Sequence, residues 1–306
     1  MFVTGLQTQF DVLRRDLRYA FRTLKRSPGF TFTAILVTAL GIGATTAAFS
    51  ITDHVLIRPL SFPDLDRLAE LWESQVPGGY RENEASPPNY RDWKRMNKAF
   101  EGMAAFRGLS VDMVGTGDPE QLNGASVTAD LFPMLGAHPA LGRIFTPEDD
   151  RPGAQGTAIL SYGFWRQRFG ADPSVLGRKV ILDTEPYVII GVMPKEFYFP
   201  NRECRLWTPM RFVNADFEDR TNTYLHVIAK LRPGLTLRQG QADMRLVARE
   251  LQREYPKDSA HISVLVQSLR DGVLERSPRM LLIALLGASF CVLLIACTNL
   301  ANLLLA

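Results

Sequence analysis

Four histidines, His54, His138, His226 and His261, are the side chains here best suited to metal ligation or proton transfer, and they stand far apart in the chain. No HExxH or CxxC spacing supplies a second ligand, and no GxSxG elbow supplies a nucleophile. The sequence therefore predicts no catalytic residue, no metal site and no enzyme. The nearest approach to a phosphate loop runs from Gly170 to Lys179. It has six residues between its glycines and reads Gly-Arg-Lys where Gly-Lys-Ser/Thr is needed. Gly41-Ile42-Gly43 follows no strand and lacks a third glycine in place, so no nucleotide or other cofactor is expected. Glu148-Asp149-Asp150, after Thr146-Pro147, reads as a solvated helix start rather than a cation site. His54 and Asp53 border an apolar run, where interfacial placement accounts for them.

The elements that would position any such residue are set by the distribution of charge. The chain has 306 residues and a formal charge of +3. Thr31–Thr52 and Met280–Ala306 contain no Asp, Glu, Lys or Arg, and each has about the 20 residues a helix needs to cross a bilayer. Before the first stretch, Arg14, Arg15, Arg18, Arg22, Lys25 and Arg26 face only Asp11 and Asp16, a balance of +4; the remaining 29 basic and 30 acidic residues give −1. This asymmetry predicts a cytoplasmic N-terminus and a domain on the opposite side of the membrane. A basic run beside an apolar span, with no basic domain around it, argues against nucleic acid as a partner.

Leu6, Phe10, Leu13, Leu17, Phe21 and Leu24 form one helical stripe opposite those arginines. Residues 1–29 thus read as an amphipathic basic helix lying against membrane lipid, broken at Ser27-Pro28-Gly29. Residues 30–57 read as an uncleaved transmembrane helix, since the basic segment and apolar run both exceed a signal peptide's. Ala39, Gly43 and Ala47 make a small-residue ladder for close helix packing, and Asn299 and Asn302 put two amides on one face of a second span, 280–306. Cys291 and Cys297 read as small apolar side chains. Cys204 is the only cysteine between the spans, so no disulfide is expected there. Ending at Ala306 within an apolar run, the sequence reads as truncated after the start of the second span.

Between the spans, residues 58–279 read as an α+β domain, with α/β flanks at 58–129 and 216–279 and a β-rich insertion at 130–215. Strands are expected at Leu68–Glu73, Val111–Val114, Gln121–Val127, Lys179–Leu182, Tyr187–Val192, Tyr224–Leu231 and Ile262–Leu269. Turns are expected at Gly115–Asp118 and Asp183–Pro186. Helices are expected after Ser86 to Asn97, after Thr128 to Leu135, after Ser161 to Phe169, and from a Thr236/Gln239 capping box to Tyr255. Leu237, Met244, Val247, Ala248 and Leu251 form the apolar face of the last.

Asp16–Leu24, Ser27-Pro28-Gly29-Phe30 and Ala39–Ala44 together resemble the first transmembrane segment of the MacB/FtsX-type ABC transporter permeases. Leu131–Gly136, Leu141–Phe145, Glu148–Asp150, Leu160–Trp165 and Ile190–Pro194 are similar to that family's periplasmic core domain, and Leu294–Ala306 looks like its second helix. The resemblance covers nearly the whole chain and is closest to the duplicated permeases without their own ATPase. It implies a permease of the cell inner membrane, with residues 58–279 periplasmic, in an efflux or mechanotransmission system. The implied partners are an ABC ATPase in trans, the remaining permease helices or a second permease half, and a periplasmic adaptor. The alternative reading is a membrane-tethered extracytoplasmic sensor or binding module. No residue of the outer domain selects a substrate.

Overall fold

A computed structural model of the chain describes residues 62–75, 79–114 and 119–270, with helical positions scattered through 28–46 and 284–298. The chain divides into two units, Leu60–Leu274 and a second formed by Met1–Pro59 with Glu275–Ala306.

In the larger unit a 3-10 turn, Leu65–Arg67, leads into β1 (Leu68–Ser74). Then follow α1 (Pro87–Met96), β2 (Phe100–Val114), β3 (Glu120–Val127), α2 (Leu131–Met134), β4 (Leu141–Gly142) and β5 (Gly156–Leu160). The remainder is α3 (Tyr162–Phe169), β6 (Lys179–Leu182), β7 (Glu185–Val192), β8 (Leu206–Pro209), β9 (His226–Leu231), α4 (Leu237–Glu254) and β10 (Ser263–Ser268). All ten described strands join one mixed sheet in the order β10-β1-β9-β2-β3-β8-β5-β7-β4, with β6 pairing both β2 and β7. Strands β3–β8 and β5–β7 are parallel, and the other pairs are antiparallel. The parallel pair β5–β7 is bridged through α3, as parallel strands require a crossover. Strands from 141–209 and strands from both flanks therefore share one sheet.

Local chemistry sets the helix ends. Ser86 Oγ accepts the Asn89 N–H, and Pro87 and Pro88 occupy the first turn of α1, where a missing N–H costs nothing. Ser161 Oγ caps α3 at Phe164 N, and Gly170 closes it at φ 63, a conformation open to glycine without strain. Thr236 and Gln239 make a reciprocal capping box on α4. The α2 start differs from expectation. Its N-cap is Asp130, with no side-chain cap bond, because Thr128 Oγ1 instead accepts the Ala105 N–H of β2.

Three apolar clusters hold the unit. α1 and α4 cover one face of the sheet, where Trp93, Met244, Val247 and Leu251 pack on Leu71, Met103, Ala105 and Val227. The opposite face buries Leu68, Ala104, Phe106 and Ile228 with Phe132, Trp207 and Phe199. Residues of β2 thus alternate between two buried faces. A third cluster gathers Phe164, Trp165 and Phe169 of α3 against β6, β7 and the far end of β2.

In the smaller unit every described position in 28–46 and 284–298 is helical. Phe32, Ile35, Leu36, Ile42, Phe290, Val292, Leu294 and Ile295 are exposed. Thr45 and Thr46 share a cleft of about 460 Å³ with Leu286, Gly287 and Phe290. Among the described residues, no helix is long and apolar enough to cross a membrane.

Candidate functional site

The first and last strands of the larger unit are antiparallel neighbours, in register from Ala69↔Ser268 to Ser74↔Ser263. Just beyond the pairing, Arg270 Nη1 meets Asp66 Oδ1 at 2.9 Å. Arg67 reinforces the same corner. Its Nε and Nη2 donate to the Leu231 carbonyl at 2.9 and 2.6 Å, and Nη2 also lies 2.6 Å from Glu101 Oε1. Lys230 Nζ is 2.9 Å from Asp64 Oδ2, and its hydrogen bond and charge hold the Asp64 carboxyl below the ordinary range. The chain therefore joins and leaves the sheet at one clamped point.

The outer edge of β10 is closed by α4. Gln241 Nε2 donates to the Val264 carbonyl at 2.7 Å, and its Oε1 accepts the Val266 N–H at 2.9 Å. Gln252 adds a bond to the Ile262 carbonyl at 2.9 Å. One side-chain amide thus supplies both the donor and the acceptor that a neighbouring strand would bring.

Behind β1 lies a buried polar network. Glu73 Oε1 accepts the Ser86 N–H at 2.9 Å and the Asn89 amide at 2.7 Å. Burial pushes the Glu73 carboxyl up, against the opposing pull of Asn89, Ser86 and the more distant Arg220 charge. Arg220 donates to Asn89 Oδ1 at 2.6 Å and to Asp92 Oδ2, and its guanidinium lies 3.6 Å from the Tyr255 ring centroid. Asp92 also pairs with Arg95 at 3.0 Å. β1, α1, the 219–222 loop and the end of α4 are cross-linked in this way.

The acidic cluster departs from expectation. Glu148-Asp149-Asp150 lies in a turn and does not start a helix. Asp149 is buried and takes both ends of the Arg143 guanidinium, plus the Thr146 N–H and hydroxyl. Burial alone would raise its carboxyl, but those donors outweigh it and hold it below the ordinary carboxylate range. Asp150 accepts the Ala129 N–H at 2.9 Å and the Arg211 N–H at 2.7 Å, and burial raises it. Two of the three acids are consumed as structural acceptors.

A cleft of about 440 Å³ opens between the first turns of α3 and the 194–204 loop. Tyr162, Arg166, Lys195, Phe197, Tyr198 and Arg202 line it, with Cys204 at its floor. The Cys204 thiol donates to the Leu206 carbonyl at 3.4 Å, and burial pushes it up to about 12, so it is no nucleophile.

Of the residues singled out from sequence, Ala39 and Gly43 are helical and exposed. Ala47, Asn299, Asn302, the basic set Arg14, Arg15, Arg18, Arg22, Lys25 and Arg26, and His54 lie outside the described residues, as does the Gly115–Asp118 turn. His138 and His261 are exposed. His226 has more company than its sequence suggests. It stacks on Phe106 at 4.8 Å, meets Trp72 edge-on at 5.5 Å, and puts Nε2 3.2 Å from Glu84 Oε1. Among the described residues, no group of three or more His, Cys, Asp or Glu is arranged to hold a metal ion. The cleft and the Arg220 network were not anticipated, because their members are separated by tens of residues in sequence.

The family described as MacB-like periplasmic core domain matches residues 31–247. No curated protein matches the sequence. Among solved structures, a domain of a protein described as a permease from Porphyromonas gingivalis aligns with a TM-score of 0.54 at 14% identity, covering 68% of this chain and 93% of that one. The periplasmic region of MacB from Actinobacillus actinomycetemcomitans aligns at 0.49 and 14%, covering 69% and 94%. The extracellular domain of the noncanonic ABC-type transporter YknZ from Gram-positive bacteria aligns at 0.47 and 15%, covering 65% and 99%.

Proposed function

The chain belongs to the family of MacB-like periplasmic core domains, and from that premise we propose that it is part of an ABC-type transporter permease, coupling an ATPase on another chain to motion of a periplasmic domain. In this reading the charge-free stretches Thr31–Thr52 and Met280–Ala306 cross the inner membrane, with the arginine-rich leader on cytoplasmic lipid. The exposed Phe32, Ile35, Leu36, Phe290 and Val292 on helical positions support such an environment. Efflux or mechanotransmission is the task, with further permease helices and a periplasmic adaptor as partners.

The observation that carries the proposal is the pairing of β1 with β10, clamped by Asp66 and Arg270. Both connections to the flanking segments leave from one edge of the sheet. A shift of those segments then moves β1 and β10 together, and the hydrogen-bonded sheet carries the displacement to β9 and β2. ATP binding need only bias two arrangements of the helices for the outer domain to follow.

The test is made in the full-length protein with its ATPase. Replacing 62–270 by a flexible linker should leave basal ATP hydrolysis in place and abolish its coupling to export or to periplasmic output. Unchanged coupling would overturn the proposal. A tethered binding module, the other reading, would show no dependence of any ATPase on this chain.

A further inference from the structure

The cleft beside α3 gathers three exposed cations and has no part in the coupling mechanism above. Its cations are Arg166, Lys195 and Arg202, and its lining contains no Asp or Glu. Several arginines of the unit are committed elsewhere: Arg67, Arg95, Arg143, Arg205, Arg220 and Arg270 each lie on a carboxylate. Among the described residues, no carboxylate pairs with Arg166, Lys195 or Arg202. Two of these cations instead lie near aromatic rings. The Arg202 guanidinium lies 4.2 Å from the Tyr198 centroid, and Arg166 lies 5.9 Å from Tyr162. A ring attracts a nearby cation without taking up its N–H donors, so both guanidinium forks stay free for a ligand.

The walls add a second requirement. Tyr162, Phe197 and Tyr198 give the cleft an aromatic side, and about 440 Å³ suits a small organic molecule. Ser161 Oγ accepts the Phe164 N–H, and the Cys204 thiol donates to the Leu206 carbonyl, so the cleft's charge comes from its three cations. We propose that this cleft binds a small amphiphilic organic anion, with its acid group on Arg166, Lys195 and Arg202 and its apolar body against Tyr162, Phe197 and Tyr198.

The test compares 2-naphthoate with its uncharged counterpart 2-naphthamide by titration calorimetry on the full chain in neutral phosphatidylcholine nanodiscs. The arginine-rich leader also attracts anions, so the informative quantity is the difference between wild type and an Arg166→Gln/Arg202→Gln double variant. Naphthoate should bind about tenfold more weakly to the variant, while naphthamide is unaffected. A Lys195→Gln variant should show a smaller loss in the same direction. Both side-chain sets are exposed, and an unchanged unfolding midpoint checks that the fold is intact. Equal affinity of wild type and double variant for naphthoate, or equal loss for both probes, would overturn the assignment. So would tighter, cleft-dependent binding of acetyl-Glu-Phe-Glu-amide, which would make the occupant a protein segment.

Discussion

Asp66 and Arg270 are 204 positions apart and meet at 2.9 Å, fastening the start of the first strand to the end of the last. Both side chains are well exposed, so the pair contributes little to global stability, and screening weakens it further. Its role is local. Arg270→Ala should leave the unfolding midpoint where it was, while amide exchange at Ser268 and Leu269 speeds up. A large fall in global stability would mean that the corner is a core element and not a clamp.

Gln241 tests the closed edge. Removing its amide deprives the Val264 carbonyl and Val266 N–H of partners, and Gln241→Ala should cost about 1–2 kcal/mol in denaturant unfolding. The freed strand edge should also promote self-association at higher concentration, read by light scattering. A variant that is less stable yet strictly monomeric would separate the two effects and remove the edge-protection argument.

Arg220 tests the network behind β1. Arg220→Ala strands Asp92 and Asn89 in a buried setting and should cost about 3 kcal/mol, with Arg95 still offsetting part of the Asp92 charge. Arg220→Lys should recover little, because a single ammonium cannot reach both oxygens and face the Tyr255 ring. Full recovery by lysine would contradict the two-pronged geometry.

Glu73 should leave a signature in pH. Its folded carboxyl is raised above the ordinary value of 4.5, first by burial. The folded state therefore holds this proton more tightly than the unfolded one. The stability it contributes is complete below 4.5 and is lost as pH rises through the folded value. Glu73→Gln keeps an acceptor for Ser86 and Asn89 but carries no charge. It should be at least as stable as wild type at neutral pH and lack the decline above 4.5. Asp149 works with the opposite sign, since its carboxyl is held down. Its contribution is present above 3.8 and lost as pH falls, so the Glu73 signal is read as the difference between the two proteins.

The parts of this fold legible in sequence were those fixed within a few residues. Ser86, Ser161 and the Thr236–Gln239 box cap helices where their spacing predicts, and Met244, Val247, Ala248 and Leu251 are buried as the α4 stripe requires. The β6–β7 hairpin turns at Asp183 and Thr184, within the expected Asp183–Pro186 turn, whose Glu185 and Pro186 already belong to β7. What escaped was set by distant partners. β2 begins at Phe100, eleven residues before the expected start. Its Gly102, Ala104 and Ala105 are poor strand formers, kept extended by β9 and by apolar packing on both faces. β5 and β8 are short, wholly buried runs without alternation, and only their pairing reveals them. The acidic cluster misled because Arg143 and the Ala129 and Arg211 amides that claim it come together only in the fold. The cleft combines 161–167 with 194–204, a conjunction with no local signal.

The proposed function requires residues 62–270 to lie on the membrane face opposite the arginine-rich leader. Arg253, on the exposed side of α4, offers a direct probe of that arrangement. In the full-length protein, with Cys204, Cys291 and Cys297 replaced by serine or alanine, Arg253→Cys should react with a membrane-impermeant maleimide on cells stripped to the cytoplasmic membrane. Arg18→Cys should react only after lysis. Labelling of Arg18→Cys in intact cells with protection of Arg253→Cys would contradict the account.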